Sequence, residues 1–120
     1  QVIGSPDADA RARSIATVGL GAVLERQAEG APAAQRIELL RAALNYYLDV
    51  LFEKNLQGNE TPDLFWRQRA GKDAGRLAES LGLWSQAASV YRQVQQLLPA
   101  FSDALEIKIR NADRRAAGSN

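Results

Sequence analysis

Between Gly71 and Pro99 the chain reads GKDAGRLAESLGLWSQAASVYRQVQQLLP, and the order of sizes in that stretch sets the fold class. At about 100° per residue, Ala70, Gly71, Ala74, Leu77, Ala78 and Leu81 fall on one helical face. Most of these are small, so a second helix can approach the backbone closely. The following segment answers with Trp84, Ala87, Tyr91, Val94 and Leu98 on one stripe, large groups set against small ones at interior density. Gly82 supplies the turn between the two segments and Pro99 ends the second. The expectation is an antiparallel helix hairpin.

The same punctuation recurs outward from this stretch. Ser5-Pro6-Asp7 and Thr61-Pro62-Asp63 each offer a hydroxyl N-cap, a proline at the first helical position and an early acid. Gly30-Ala31-Pro32 and Gly58-Asn59 read as stops and turns. No segment alternates apolar and polar residues for more than a few positions, so strands are not expected. Five helices follow, over about 7–29, 33–55, 62–81, 84–98 and 101–115. In the second, Ile37, Leu40, Leu44, Leu48 and Leu51 form one apolar stripe and Leu39, Ala43, Tyr46 and Val50 another, as in a helix held between neighbours. The fifth is one-sided, with Phe101, Ala104, Leu105, Ile109 and Ala112 facing inward as a cap over a stack. Gly19 and Gly21 in the first helix cost about 1 kcal/mol each relative to Ala. They either weaken that helix or admit a close neighbour. Ala116 to Asn120 reads as a frayed tail.

The residues of 68–101 resemble the tetratricopeptide repeat. Gly75 matches the glycine of the family's first helix and Gly82 its interhelical turn. Ala87, Tyr91 and Pro99 match the alanine, aromatic and closing proline of its second helix, and Trp84 opens that helix. Gly71, Ala74 and Ala78 stand where the family usually has a tryptophan, a leucine and a tyrosine, and Val94 replaces a usual alanine. Upstream, 16–49 has the length of a repeat with its turn at Gly30, but matches the motif poorly. The resemblance implies an all-α domain over 1–120, its hairpins stacked as a short right-handed array of about five helices with 101–115 as the cap. It also implies a concave groove on the first-helix side that holds a peptide or protein. The wording of 61–115 is similar to that of bacterial helical-repeat proteins of the cell envelope or of assembly machinery, which slightly favours a periplasmic or envelope location over a cytoplasmic one.

The chain of 120 residues carries 15 basic and 14 acidic side chains, a formal charge of +1, and 46% apolar residues. Near-neutrality argues against a dedicated nucleic-acid binder. No apolar run approaches the roughly 18–20 residues that span a bilayer. The sequence contains no His and no Cys, which removes imidazole acid–base catalysis, thiol nucleophiles, disulfides and the usual zinc sites. It also contains no Met and starts at Gln1, so the expectation is a trimmed or processed piece with any signal or anchor lying upstream.

Arg69, Lys72 and Arg76 project within about 60° of one another, nearly opposite the small-residue face, and Phe65 extends their line by one turn. In proteins that the chain resembles, that side lines the groove, where cations clamp carboxylates of an extended peptide. Asp73 and Glu79 lie within one turn and can instead neutralise the stripe into a solvated face. Tyr46 and Tyr47, as helix neighbours, cannot both point the same way, so one is expected to be accessible; core packing is the simpler role for each. Arg110, Arg114 and Arg115 suit a helix C-terminus, with phosphate or anionic lipid as the other possibility. The Gly71-Lys72 pair lacks the spacing of a phosphate loop. Glu53, Glu60 and Asp63 flank a loop without EF-hand spacing, and no metal or cofactor is assigned. A non-catalytic scaffold for a protein or peptide partner, acidic where the basic stripe is the groove, accounts for most of these features. The alternative is self-association, with the glycine-bearing first helix packed on its symmetry mate. Nucleic-acid binding ranks below both, and an enzyme last, since stacked helices offer no pocket for two carboxylates.

Overall fold

The computed structural model describes residues 6–54, 56, 58 and 60–118, with side chains described from residue 9 onward. Five α-helices account for nearly all of them, and no strand occurs among the described residues. They are α1 (Pro6–Glu29), α2 (Ala33–Leu51), α3 (Leu64–Ser80), α4 (Trp84–Leu97) and α5 (Ser102–Gly118), with a 3-10 turn at Pro99–Phe101. The chain divides into two compact units, 1–70 and 71–120, and the boundary falls inside α3. No helix among the described residues is long and apolar enough to cross a membrane.

Several of the expected helix ends move. α2 stops at Leu51 because Glu53 adopts the left-handed region at φ 63°, and Lys54 N–H then bonds the Asp49 carbonyl at 2.8 Å. That is a Schellman end with Glu where Gly is usual. α3 begins at Leu64, not at Pro62, and its cap is Asp63 instead of Thr61: Asp63 Oδ1 accepts from Trp66 N–H at 3.0 Å. α4 closes at Leu97 ahead of the Pro99 turn. α5 runs to Gly118, so the tail expected from Ala116 is helical for three residues; Ser119 and Asn120 lie outside the described residues, as do the Ser5 cap and Asn59. The Gly82 turn stands as expected: φ is 73°, Gly82 N–H bonds the Glu79 carbonyl and Leu83 N–H the Ala78 carbonyl.

In the first unit α1 packs on α2. Its core contains Ala10, Val18 and Ala28 from α1 with Ala43, Leu44, Tyr47, Val50 and Leu51 from α2. Ile37 is 48% exposed, so the apolar stripe assigned to α2 stops short of that helix's first turn. Arginines fasten the helix ends. Arg36 reaches back from α2 to the carbonyls of Ala28 (3.3 Å), which also accepts from Ala31 N–H, and of Ala31 (3.1 Å), just past the end of α1. Arg67 does the same for α2, donating through Nε and Nη2 to the Leu51 carbonyl at 3.0 and 2.8 Å, while its Nη1 pairs with Glu53 at 3.0 Å. Arg13 forks onto Glu60 at 2.6 and 3.0 Å and ties the α2–α3 connection to α1. The hydrogen bond to Glu60, above all, holds the Arg13 guanidinium above its usual pKa.

In the second unit the buried set is Ala74, Leu77 and Ala78 from α3, Ala87, Ala88, Val90, Tyr91 and Val94 from α4, and Ile109 and Ala112 from α5. α4 packs on α5. Gln95 donates to the Ser102 carbonyl (3.0 Å) and to Glu106 (3.2 Å), fixing the start of α5. Phe101 was expected to face inward, yet it is 57% exposed because the 3-10 turn carries it outside the α5 register. Ala104 is exposed as well. Trp84 is only half-buried, and the Arg115 guanidinium lies over its ring at 4.9 Å from the centroid.

Candidate functional site

Phe65, Arg69, Lys72 and Arg76 all lie on α3 and all are exposed. Phe65 and Arg69 belong to the first unit, Lys72 and Arg76 to the second. Phe65 is 60% exposed and meets the edge of Trp66 with ring centroids 5.2 Å apart. Arg76 pairs with Asp73 one turn back at 3.4 Å, a long contact between side chains 53% and 16% exposed. Exposed pairs of this kind contribute about 0–1 kcal/mol. Glu79, the other acid expected to neutralise the stripe, is engaged elsewhere, as acceptor for the Tyr91 hydroxyl.

That Tyr91–Glu79 bond belongs to a construction found once in each unit. In the second unit Gly75 presents bare backbone to the Tyr91 ring, so close that a Cβ there would collide with ring carbons. The phenol then donates to Glu79, four residues past the glycine. Burial first, and the bond to Glu79 second, push the Tyr91 phenol well above its usual pKa, so it remains a donor. In the first unit Gly21 presents bare backbone to the Tyr47 ring, and Tyr47 Oη donates at 2.6 Å to Glu25, again four residues past the glycine. Ala43 and Ala87, each four residues before its tyrosine, are fully buried, and Val50 and Val94 follow three residues after.

The first of these two sockets was hidden from the repeat comparison because the intervening helices are longer. Gly21 and Tyr47 are separated by 26 positions, Gly75 and Tyr91 by 16. The legible signal is Arg-x7-Gly-x3-Glu, at Arg13/Gly21/Glu25 and Arg67/Gly75/Glu79, followed by Ala-x3-Tyr-x2-Val. Gly21 therefore admits a close neighbour. Tyr47 is the buried member of its pair at 1% exposure, and Tyr46 is half-exposed.

The three acids weighed for a cation are distributed among three arginines: Glu53 to Arg67, Glu60 to Arg13, and Asp63 to Arg11 at 3.8 Å. No group of metal-ligating side chains occurs among the described residues. The cations of α5 have partners too: Arg110 meets Glu106 at 3.6 Å, Arg114 meets Asn111 at 3.5 Å, and Arg115 covers Trp84. No protein-family model matches the chain, and neither a curated protein nor a solved structure does.

Proposed function

We propose that the chain is a non-catalytic scaffold of the tetratricopeptide-like kind, its antiparallel hairpins stacked so that the first-helix side holds an extended acidic peptide. The duplicated Gly–Tyr–Glu socket carries this reading. Two units that solve the same packing problem with the same residue types are what a repeat protein requires, since each repeat is one supersecondary unit built to a common plan. The sockets also dedicate one face of the glycine helices to packing. On α3 this leaves Lys72 and Arg76 exposed on a side the core does not use. Arg69 and Phe65 extend the basic and aromatic character of the same helix. Cations held on a rigid helix bind carboxylates through charge-assisted hydrogen bonds, and an exposed ring adds an apolar anchor.

The test is fluorescence anisotropy with labelled peptides of Asp/Glu-rich sequence, each made with a free and with an amidated C-terminus. The wild-type chain is expected to bind, more weakly as salt is raised. Arg76→Glu is expected to reduce affinity about tenfold, at an unchanged helical circular dichroism signal. Equal affinity in the wild type and in a triple reversal of Arg69, Lys72 and Arg76 removes the clamp. A preference for the free C-terminus identifies a terminal carboxylate as the ligand group.

A further inference from the structure

Tyr91 of α4 is met by two other helices of the second unit. Gly75 of α3 lies against its ring at Cε1 and Cζ, and Lys108 of α5 sets its Nζ over the ring, 5.4 Å from the centroid. Seven residues away along α4 and α5 the second contact recurs, with the Arg115 guanidinium over Trp84 at 4.9 Å. Both distances fall within the roughly 6 Å over which a ring attracts a cation. A step of seven residues is about two helical turns, or about 10.5 Å, with a drift of about 20°. Lys108 and Arg115 therefore share one flank of α5, and both remain exposed.

On α3 the exposed Lys72 lies three residues before Gly75, about 60° and 4.5 Å from it. The Tyr91 ring thus joins two helix flanks that carry cations. Four cations on these flanks, Lys72, Arg76, Lys108 and Arg115, stand against two acids, Asp73 and Glu79. Asp73 turns to Arg76, and Glu79 accepts from the Tyr91 hydroxyl. The acids of α5 nearest in sequence, Glu106 and Asp113, lie more than about 130° round that helix from Lys108. There they meet Arg110 and Gln95, and Arg92. Lys108 makes no ion pair among the described residues.

Given the acid-binding face proposed on α3, on which this depends, we propose that the same surface continues across Tyr91 onto α5, where Lys108 and Arg115 hold further carboxylates of the same acidic peptide. The excess of positive charge on the two flanks is what such a peptide complements. Preorganisation selects these two cations. A long side chain gives up rotamer freedom when it grips a ligand, and one already resting on a ring has less to lose. Arg110 and Arg114, on other flanks of α5, rest on no ring. The rings themselves favour carboxylates over nucleobases as ligands. Tyr91 is 6% exposed and Trp84 lies under Arg115, so neither offers an open face for a base to stack on.

Fluorescence anisotropy of the whole chain with a labelled Asp/Glu-rich peptide tests this, with helical circular dichroism checked for every variant. Lys108→Met keeps the stem over Tyr91 and removes the charge, and is expected to weaken binding about fivefold. Lys108→Arg keeps the charge and is expected to bind as the wild type does. Arg114→Met removes an equal charge about 120° round α5 and is expected to leave affinity unchanged. Equal losses in Lys108→Met and Arg114→Met would reduce the effect to net charge and overturn the proposal. Equal losses in Lys108→Met and Lys108→Arg would assign Lys108 to packing and overturn it as well, as would tighter binding of a single-stranded oligonucleotide than of the peptide. Affinity lost in the triple reversal of Arg69, Lys72 and Arg76 but unmoved by Lys108→Met overturns the α5 wall and leaves the α3 face standing. A wild type that binds no acidic peptide removes both.

Discussion

A methyl group added at Gly21 would sit 2.5 Å from Tyr47 Cε1, and the ring cannot retreat because its hydroxyl is held by Glu25. Gly21→Ala and Gly75→Ala are each expected to cost about 1–3 kcal/mol, although alanine is the better helix former by about 1 kcal/mol. Gly19→Ala meets open space and should follow the propensity alone, stabilising the dilute chain by up to about 1 kcal/mol. Urea denaturation of the three variants decides whether sign follows socket or propensity. Tyr91→Phe keeps the ring in place but leaves Glu79 without its phenol donor, at an expected cost of about 1 kcal/mol. Similar losses from all four substitutions would indicate that the sockets carry no special weight.

At the scale of elements, the ends of helices account for most differences between expectation and structure. The sequence marks Gly82 plainly, since a residue at φ 73° is most often glycine. It gives no such mark at Glu53, which takes the same backbone region at φ 63° at a cost of about 1–2 kcal/mol. The compensation comes from sixteen positions beyond Leu51, where Arg67 grips the Leu51 carbonyl and the Glu53 carboxylate. Local propensity has no access to a tertiary contact of that kind, and alone it carries α2 on to residue 55. Helix existence and the packing faces of α3 and α4 were legible because size alternation repeats within one or two turns. The cap at Asp63, the outward Phe101 and the Arg36 contacts were not, because each depends on a neighbour that periodicity does not name. Arg67→Met should therefore cost about 2–3 kcal/mol, as an orphaned carbonyl and a strained Glu53 are left together. Glu53→Gly should be neutral or slightly stabilising, because relief of strain offsets an ion pair that is 41% exposed on the Glu53 side. Melting temperatures of the two variants, moving in different directions, would establish that Arg67 acts on the carbonyl more than on the acid.

Over the whole molecule, the two units differ in how they are fastened. The first uses arginines to hold helix ends and a connecting loop, whereas the second relies on alanine-rich close packing with cations laid over Trp84 and Tyr91. Arg13→Ala, which removes the fork onto the mostly buried Glu60, is expected to loosen the α2–α3 connection and leave the second unit intact. Amide hydrogen exchange should then rise around residues 60–63 while α4 and α5 remain protected. A uniform rise over both units would instead indicate global destabilisation. The candidate site was legible as a basic stripe from helical spacing alone. What spacing could not supply was the commitment of each counter-charge, since Asp73 turns to Arg76 while Glu79 turns to Tyr91.

The sockets also bear on motion. An aromatic ring turns about its own axis only when its surroundings yield, and Tyr47 is 1% exposed with a backbone against its edge. Interiors packed at crystal density do not make that room without a transient separation of the helices. The two edges of the Tyr47 ring should therefore give separate magnetic resonance signals on cooling, while the half-exposed Tyr46 ring next to it averages to one set. The rate at which the Tyr47 signals merge on warming is then a clock for the opening of the α1–α2 pair, read from a single side chain without any label.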